Sequence, residues 1–168
     1  TVYANGYMKP YLDKGMNVSS HCFFLMMLIA SMLMVVTVQN ALFFLIVWEV
    51  MSLSSFFLVI FEGEKKEVIK AGVKYLVYMH FSVLFILAAF VMLNLHSGSM
   101  NFADFAAYAH QGDKFASLIF MLAFIGFGIK AGFVPFHNWL PDAHPAAPSH
   151  VSAVMSGVMI KTGLYGIL

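Results

Sequence analysis

The apolar positions gather into five long runs separated by short polar breaks. The first extends from Cys22 to Val38 and the second from Ala41 to Phe61, with only Gln39 and Asn40 as a tight turn between them. The third covers Val68 to Leu95. The fourth starts near Phe115 and continues past Lys130 towards Leu140, and the fifth runs from Ser149 to the last residue. A hydrocarbon core of about 30 Å takes about 20 apolar residues in a helix. Lipid offers no partner to a free backbone polar group, which excludes open strands. The pattern predicts an all-α integral membrane protein with five transmembrane helices. "FADFAAYA", residues 102–109, reads as a short interfacial helix between the third and fourth.

The polar connections suggest an orientation. "FEGEKKEVIKAGVK" holds Lys65, Lys66, Lys70 and Lys74, four of the nine basic residues, and positive charge favours the cytoplasmic side. Residues 1–21, a lead-in segment with Lys9 and Lys14, fall on the same side. The connection after the third helix, with one lysine and two aspartates, falls outside. "PDAHPAAPSH" is expected as a cytoplasmic loop without lysine. The chain is expected to be a multi-pass protein of a prokaryotic cell (inner) membrane.

Composition agrees. Of 168 residues, 61% are hydrophobic and 10% charged, with 18 Phe and a mean hydropathy of +0.85. Soluble domains are about 45–50% apolar and about 25% charged. A net charge of +1 offers no basic patch for nucleic acid. A single cysteine, Cys22, excludes an internal disulfide and a Cys-ligated cluster within these residues. The ends, Thr1 and an apolar Leu168, suggest a piece of a longer polypeptide.

Against that background three charges stand out. Glu49 lies in "FFLIVWEVMSLSSFFLV", Lys130 late in the fourth run, and Lys161 in "SGVMIKTGLYGI". A charge at a helix centre costs roughly 2.5–3.5 kcal/mol on insertion scales, so each needs a reason. A structural ion pair would account for one lysine and leave the other unpaired. A proton path accounts for all three, because burial and a nearby carboxylate act oppositely on a lysine. Pro135, five residues after Lys130, cannot continue a helix. The fourth helix is therefore expected to break between Lys130 and Pro135, as helices do at ion sites in transporters. His80 in "YLVYMHFSVLF" is a candidate relay, with a helix-packing histidine as the alternative. His137, His144 and His150 surround the break at separations that fit no metal site, and are expected to line an entrance. Asp142 is expected to cap or anchor that loop, with a place in the proton entrance as the alternative. Ser52, Ser54, Ser55, Ser152, Ser156 and Thr162 could hold water or serve helix packing.

Two motifs are decoys. "GFGIKA", 126–131, fits a loose dinucleotide fingerprint but follows no strand. "GIKAG", 128–132, is a small-residue spacing that suggests close helix packing. No metal, cofactor or electron carrier is expected in this chain.

Two motifs together resemble a known family: the antiporter-like proton-translocating subunits of respiratory complex I, Mrp-type cation/proton antiporters and group-four hydrogenases, including formate hydrogenlyase. "VWEVMSLSSFFLV" is similar to the helix bearing that family's key glutamate, which falls on Glu49. "IKAGFVPFHNWLPDAHPAAPSHVSA" is similar to its signature around the central lysine, which falls on Lys130, with Ile129 where many members have glycine. "HVSAVMSGVMIKTGLYGI" resembles the hydrogenase-linked branch: Ser156 stands where many complex I members of one type have histidine, and Lys161 matches a lysine of the hydrogenase type. His80 is similar in the same way. The resemblance implies two inverted five-helix repeats, of which residues 22–168 would be the first. It implies a proton-translocating subunit of a redox-driven complex, hydrogenase-like or NADH:quinone oxidoreductase-like. Its partners would be other membrane subunits, peripheral redox subunits and lipid, with no nucleic acid. A sodium/proton antiporter subunit and a purely structural anchor are the rival readings.

Overall fold

A computed structural model describes residue 11, residues 15–109 and residues 114–168. Lys9 and Lys14, used above for orientation, lie outside the described residues. The described elements are helical: α1 (Val18–Val35), α2 (Ala41–Val59), α3 (Lys66–Ser97), α4 (Phe102–Ala109), α5 (Ala116–Ala131), α6 (Leu140–Ala146), α7 (Ser149–Val154) and α8 (Ile160–Ile167). Short 3-10 turns follow α2 and precede α6, and a π-turn, Met155–Met159, joins α7 to α8.

The helix ends follow from local chemistry. Asn17 starts α1 by accepting the Ser20 amide, and Asn40 starts α2 by accepting those of Leu42 and Phe43. Short polar side chains satisfy the free amides of a first turn in this way. Glycines Gly98 and Gly132, at φ 73° and 71°, close α3 and α5 in the left-handed conformation that glycine adopts without a steric penalty. The Gln39–Asn40 turn is stitched to the far end of α3–α4: Ala41 N donates to Met100 O at 2.7 Å and Phe102 N to Gln39 O at 3.0 Å. At the opposite end, Lys74 Nζ donates to Asp142 at 2.7 Å. This brings the lysine-rich connection and the region of α6 together.

Four stretches are long and apolar enough to cross a membrane: Val18–Val35, Ala41–Glu62, Lys66–Ser97 and Ala116–Ala146. The fifth expected crossing is divided by the π-turn. It nonetheless traverses the body, since His150 meets His21 in the first turn of α1 and Tyr165 donates to Val36 O, just past its last turn. "FADFAAYA" is helical, as α4. The "PDAHPAAPSH" loop is not wholly a loop: Leu140–Ala146 forms α6, and Pro141 in its first turn needs no amide partner there.

Helix packing uses small residues, though not the pair expected from "GIKAG". Gly128 contacts the nearby Phe133 ring, and Gly132 is the left-handed cap. Close approaches between helices include Gly126, where a β-carbon would sit 2.6 Å from Ile86, and Gly163, where it would sit 2.7 Å from Phe127 O. The helices pack inward on Leu28, Phe44, Trp48, Met51, Tyr75, Met79, Phe127 and Met155. Outward faces carry exposed Met26, Leu33, Leu84 and Phe120, apolar surface suited to lipid or neighbouring helices.

Candidate functional site

Lys130 occupies the last turn of α5, two residues before the chain turns away at Gly132. The fourth run is therefore broken where expected, with residues 132–135 outside any helix before the turn Phe136–Trp139. Trp139, fully buried, donates from Nε1 to Ile129 O at 3.0 Å. It ties the end of α5 to the segment beyond the break. Pro135 itself is exposed.

The Lys130 side chain is completely buried. Its ammonium donates to Ser52 Oγ at 3.0 Å and to Tyr75 Oη at 3.4 Å. It also stands 5.7 Å from the centre of the Trp48 ring and 5.8 Å from that of Tyr75, within range of cation–π attraction. Ser52 donates onward to Trp48 O. Ser55 Oγ lies 2.9 Å from the carbonyls of Met51 and Ser52 and 2.6 Å from Tyr75 Oη, a contact in which either hydroxyl can donate. Positions 48, 52 and 55 recur at helical spacing and turn one face of α2 to the lysine.

Among the described residues no carboxylate touches this ammonium. Glu49 lies beside that face and turns towards α3, where its Oε1 stands 3.0 Å from His80 Nε2. Its other oxygen, Oε2, is buried without a hydrogen-bond partner. The Glu49–His80 contact fixes a proton. His80 Nδ1 is 2.9 Å from Leu76 O, and a carbonyl only accepts, so Nδ1 carries hydrogen. The Nε2–Oε1 contact then needs a proton between the two groups, whichever holds it. The histidine is half exposed on the outer face of α3.

Lys161 stands apart. Its Nζ donates to Ser156 O at 3.1 Å, across the π-turn. It lines an apolar groove of about 520 Å³ with Ile29, Leu33, Val158 and Tyr165. Its neighbour Thr162 faces inward and contacts Met51. The entrance residues divide too. His144 Nδ1 is 2.8 Å from Ser152 Oγ, His150 Nε2 is 2.7 Å from His21 Nε2, and His137 Nδ1 is buried without a partner. Asp142 anchors α6 to α3 through Lys74, in an ion pair open to solvent. Sequence reasoning missed Tyr75 and His21. The available signal was a polar atom inside an apolar helix that must find a partner when buried.

Residues 38–168 match the model of the NADH:quinone oxidoreductase/Mrp antiporter transmembrane family. The chain belongs to that family. As a family member it is 46% identical over its full length to hydrogenase-4 component B of Escherichia coli, of which it covers 24%. It is 35% identical over 95% of its length to Na(+)/H(+) antiporter subunit A1 of Staphylococcus haemolyticus, covering 20% of that protein. The chain thus spans about a quarter or less of these relatives. Its fold matches a chain of the membrane-bound sulfane sulfur reductase, an archaeal respiratory membrane complex, with a TM-score of 0.79 and 22% identity. That match covers 86% of this chain and 30% of the other. In this antiporter-like member, the glutamate and lysine motifs thus sit on adjacent helices, α2 and α5, joined through hydroxyl groups.

Proposed function

We propose that the chain is the first five-helix repeat, residues 22–168, of a proton-translocating membrane subunit in a redox-driven complex of the hydrogenase or NADH:quinone oxidoreductase kind. Residues 1–21 form a lead-in on the cytoplasmic side of a prokaryotic inner membrane. The observation that carries the reading is Lys130: a fully buried ammonium at the end of a broken membrane helix, held by hydroxyls and no carboxylate. Such a group can give up its proton without leaving a buried anion unpaired. A structural ion pair could not do so. Glu49, with His80, tunes Lys130 through space, and Lys161 hands charge on towards the remainder of the subunit. Redox chemistry resides in peripheral partner subunits, and this chain holds no cofactor.

The 46% identity to a hydrogenase-4 component favours the redox form. The 35% identity to an Na(+)/H(+) antiporter subunit supports the second reading, a cation/proton antiporter without redox chemistry. The intact complex in sealed vesicles separates them. An electron donor should acidify the lumen without sodium. If pH changes follow sodium pulses alone, with no donor present, the antiporter reading replaces the redox one.

A further inference from the structure

We infer that Tyr75 is a positioning residue for Lys130: its hydroxyl accepts from the charged lysine and turns to donate to the neutral one, with Ser55 moving in step. This rests on the proton-carrying reading of Lys130 above. The phenol is completely buried, and its oxygen has three polar neighbours. Lys130 Nζ is 3.4 Å away, Ser55 Oγ 2.6 Å and Met159 Sδ, a weak acceptor, 3.7 Å. The ring lies against Trp139, 5.2 Å between centres, and Trp139 in turn bonds the tip of α5. One residue earlier, Lys74 ties α3 to Asp142 on α6. The oxygen is thus held beside the ammonium, and what can change is the direction of its hydrogen.

A lysine that loads and releases a proton needs different partners in its two states. The ammonium has three hydrogens and no lone pair. The neutral amine has two hydrogens and one lone pair, and a buried lone pair without a donor is costly. With Lys130 charged, Ser52 and Tyr75 accept from it. The phenol hydrogen then points to Ser55, which donates to the carbonyl of Met51 or Ser52. With Lys130 neutral, the phenol hydrogen turns to Nζ and Ser55 turns its own to Tyr75 Oη. The released carbonyls lie within α2 and keep the amide partners of the helix ladder. No proton passes between residues in this exchange. Two O–H bonds rotate, and the lysine is partnered in both states.

The distances indicate which state the phenol favours. Its 2.6 Å contact with Ser55 is shorter than the common hydroxyl spacing of about 2.7–2.8 Å. Its 3.4 Å contact with Lys130 is long for an ammonium, whose bonds to charged oxygen lie at about 2.7–2.9 Å. A phenol shares its oxygen electrons with the ring, so it donates more strongly and accepts more weakly than an aliphatic hydroxyl. Tyr75 therefore supports the neutral lysine more than the charged one, and Ser55 opposes it by holding the phenol hydrogen. Ser52, an aliphatic hydroxyl at 3.0 Å, is the better acceptor for the charge. The titratable groups on the surrounding elements have contacts elsewhere: Glu49 on α2 with His80 on α3, Asp142 on α6 with Lys74, His144 with Ser152, and Lys161 on α8 with Ser156 O. His137 lies in the turn beyond the break, its Nδ1 buried.

The test measures protons moved per electron against pH, in vesicles holding the full complex, for Tyr75→Phe, Ser55→Ala and Lys130→Ala beside the parent. Phenylalanine keeps the ring against Trp139, so a tyrosine that only packs would leave the profile in place. Without its donor, neutral Lys130 is harder to reach, and the Tyr75→Phe profile should move to higher pH. One hydrogen bond changes such an equilibrium by about two- to tenfold, which is a shift of up to about one pH unit. Ser55→Ala frees the phenol hydrogen for Lys130 and should move the profile the other way, to lower pH. Profiles that coincide with the parent's, or that both move in one direction, would overturn the inference. Full pumping by Lys130→Ala would instead remove the proton-carrying reading itself. Lost pumping in Lys130→Ala, with an unmoved Tyr75→Phe profile, sinks the inference alone. Should Tyr75→Phe fail to assemble, Ser55→Ala decides: an acid shift supports the role of Tyr75, and no shift or an alkaline one overturns it.

Discussion

Replacing Trp139 with Phe probes how the broken helix is held. The indole of Trp139 bonds the α5 backbone beside Lys130, 3.0 Å from Ile129 O. Ile129 O also receives Gly132 N at 3.2 Å, so the carbonyl would not be wholly orphaned. Side-chain hydrogen bonds within membranes average about 0.6 kcal/mol, with a maximum of about 1.7. The smaller ring leaves a void, and ~40 Å³ at about 24 cal/mol per Å³ adds about 1 kcal/mol. The sum, about 1.5–2.5 kcal/mol, is a visible fraction of a marginal stability. It should appear as a lower melting temperature of the detergent-solubilised complex. Because the freed tip of α5 carries Lys130, proton transfer per electron should fall too, although no titratable group was changed. Trp139→His, which keeps a ring N–H, should recover part of the loss. A Trp139→Phe complex that melts and pumps like the parent would refute the idea that this bond positions the lysine.

Other substitutions have distinct expectations. Glu49→Gln should depress pumping while assembly, judged by native gel, stays intact; loss of assembly would instead indicate a structural ion pair with His80. Gly163→Val would drive a side chain into Phe127 O and Ala131 N at under 3 Å, and overpacking of about 1–3 kcal/mol should lower the melting temperature. Asp142→Asn breaks the pair with Lys74, but both groups are well exposed. Such pairs contribute about 0–1 kcal/mol, so melting should hardly move.

The sequence made buried Lys130 and the break legible because each violates a simple local rule. Lys130 interrupts an uncharged run, and Pro135 cannot continue it. What lies opposite each charge depends on how separate helices are rotated and aligned, and a single sequence does not encode that visibly. Hence the contact of Glu49 with His80 was not visible, nor was it visible that Tyr75, an ordinary aromatic by composition, supplies the lysine's second hydroxyl. "GIKAG" looked like a packing stripe because spacing alone cannot separate it from a left-handed cap at Gly132. His21 escaped notice because its partner is 129 positions away. The loop after Leu140 looked irregular for its prolines, yet Pro141 falls where a helix tolerates it.

The central claim is that Lys130 carries protons, and it is tested most directly by protons moved per electron in vesicles containing the intact complex. Lys130→Ala should leave electron transfer measurable and abolish the associated proton movement. Full stoichiometry in that variant would contradict the account.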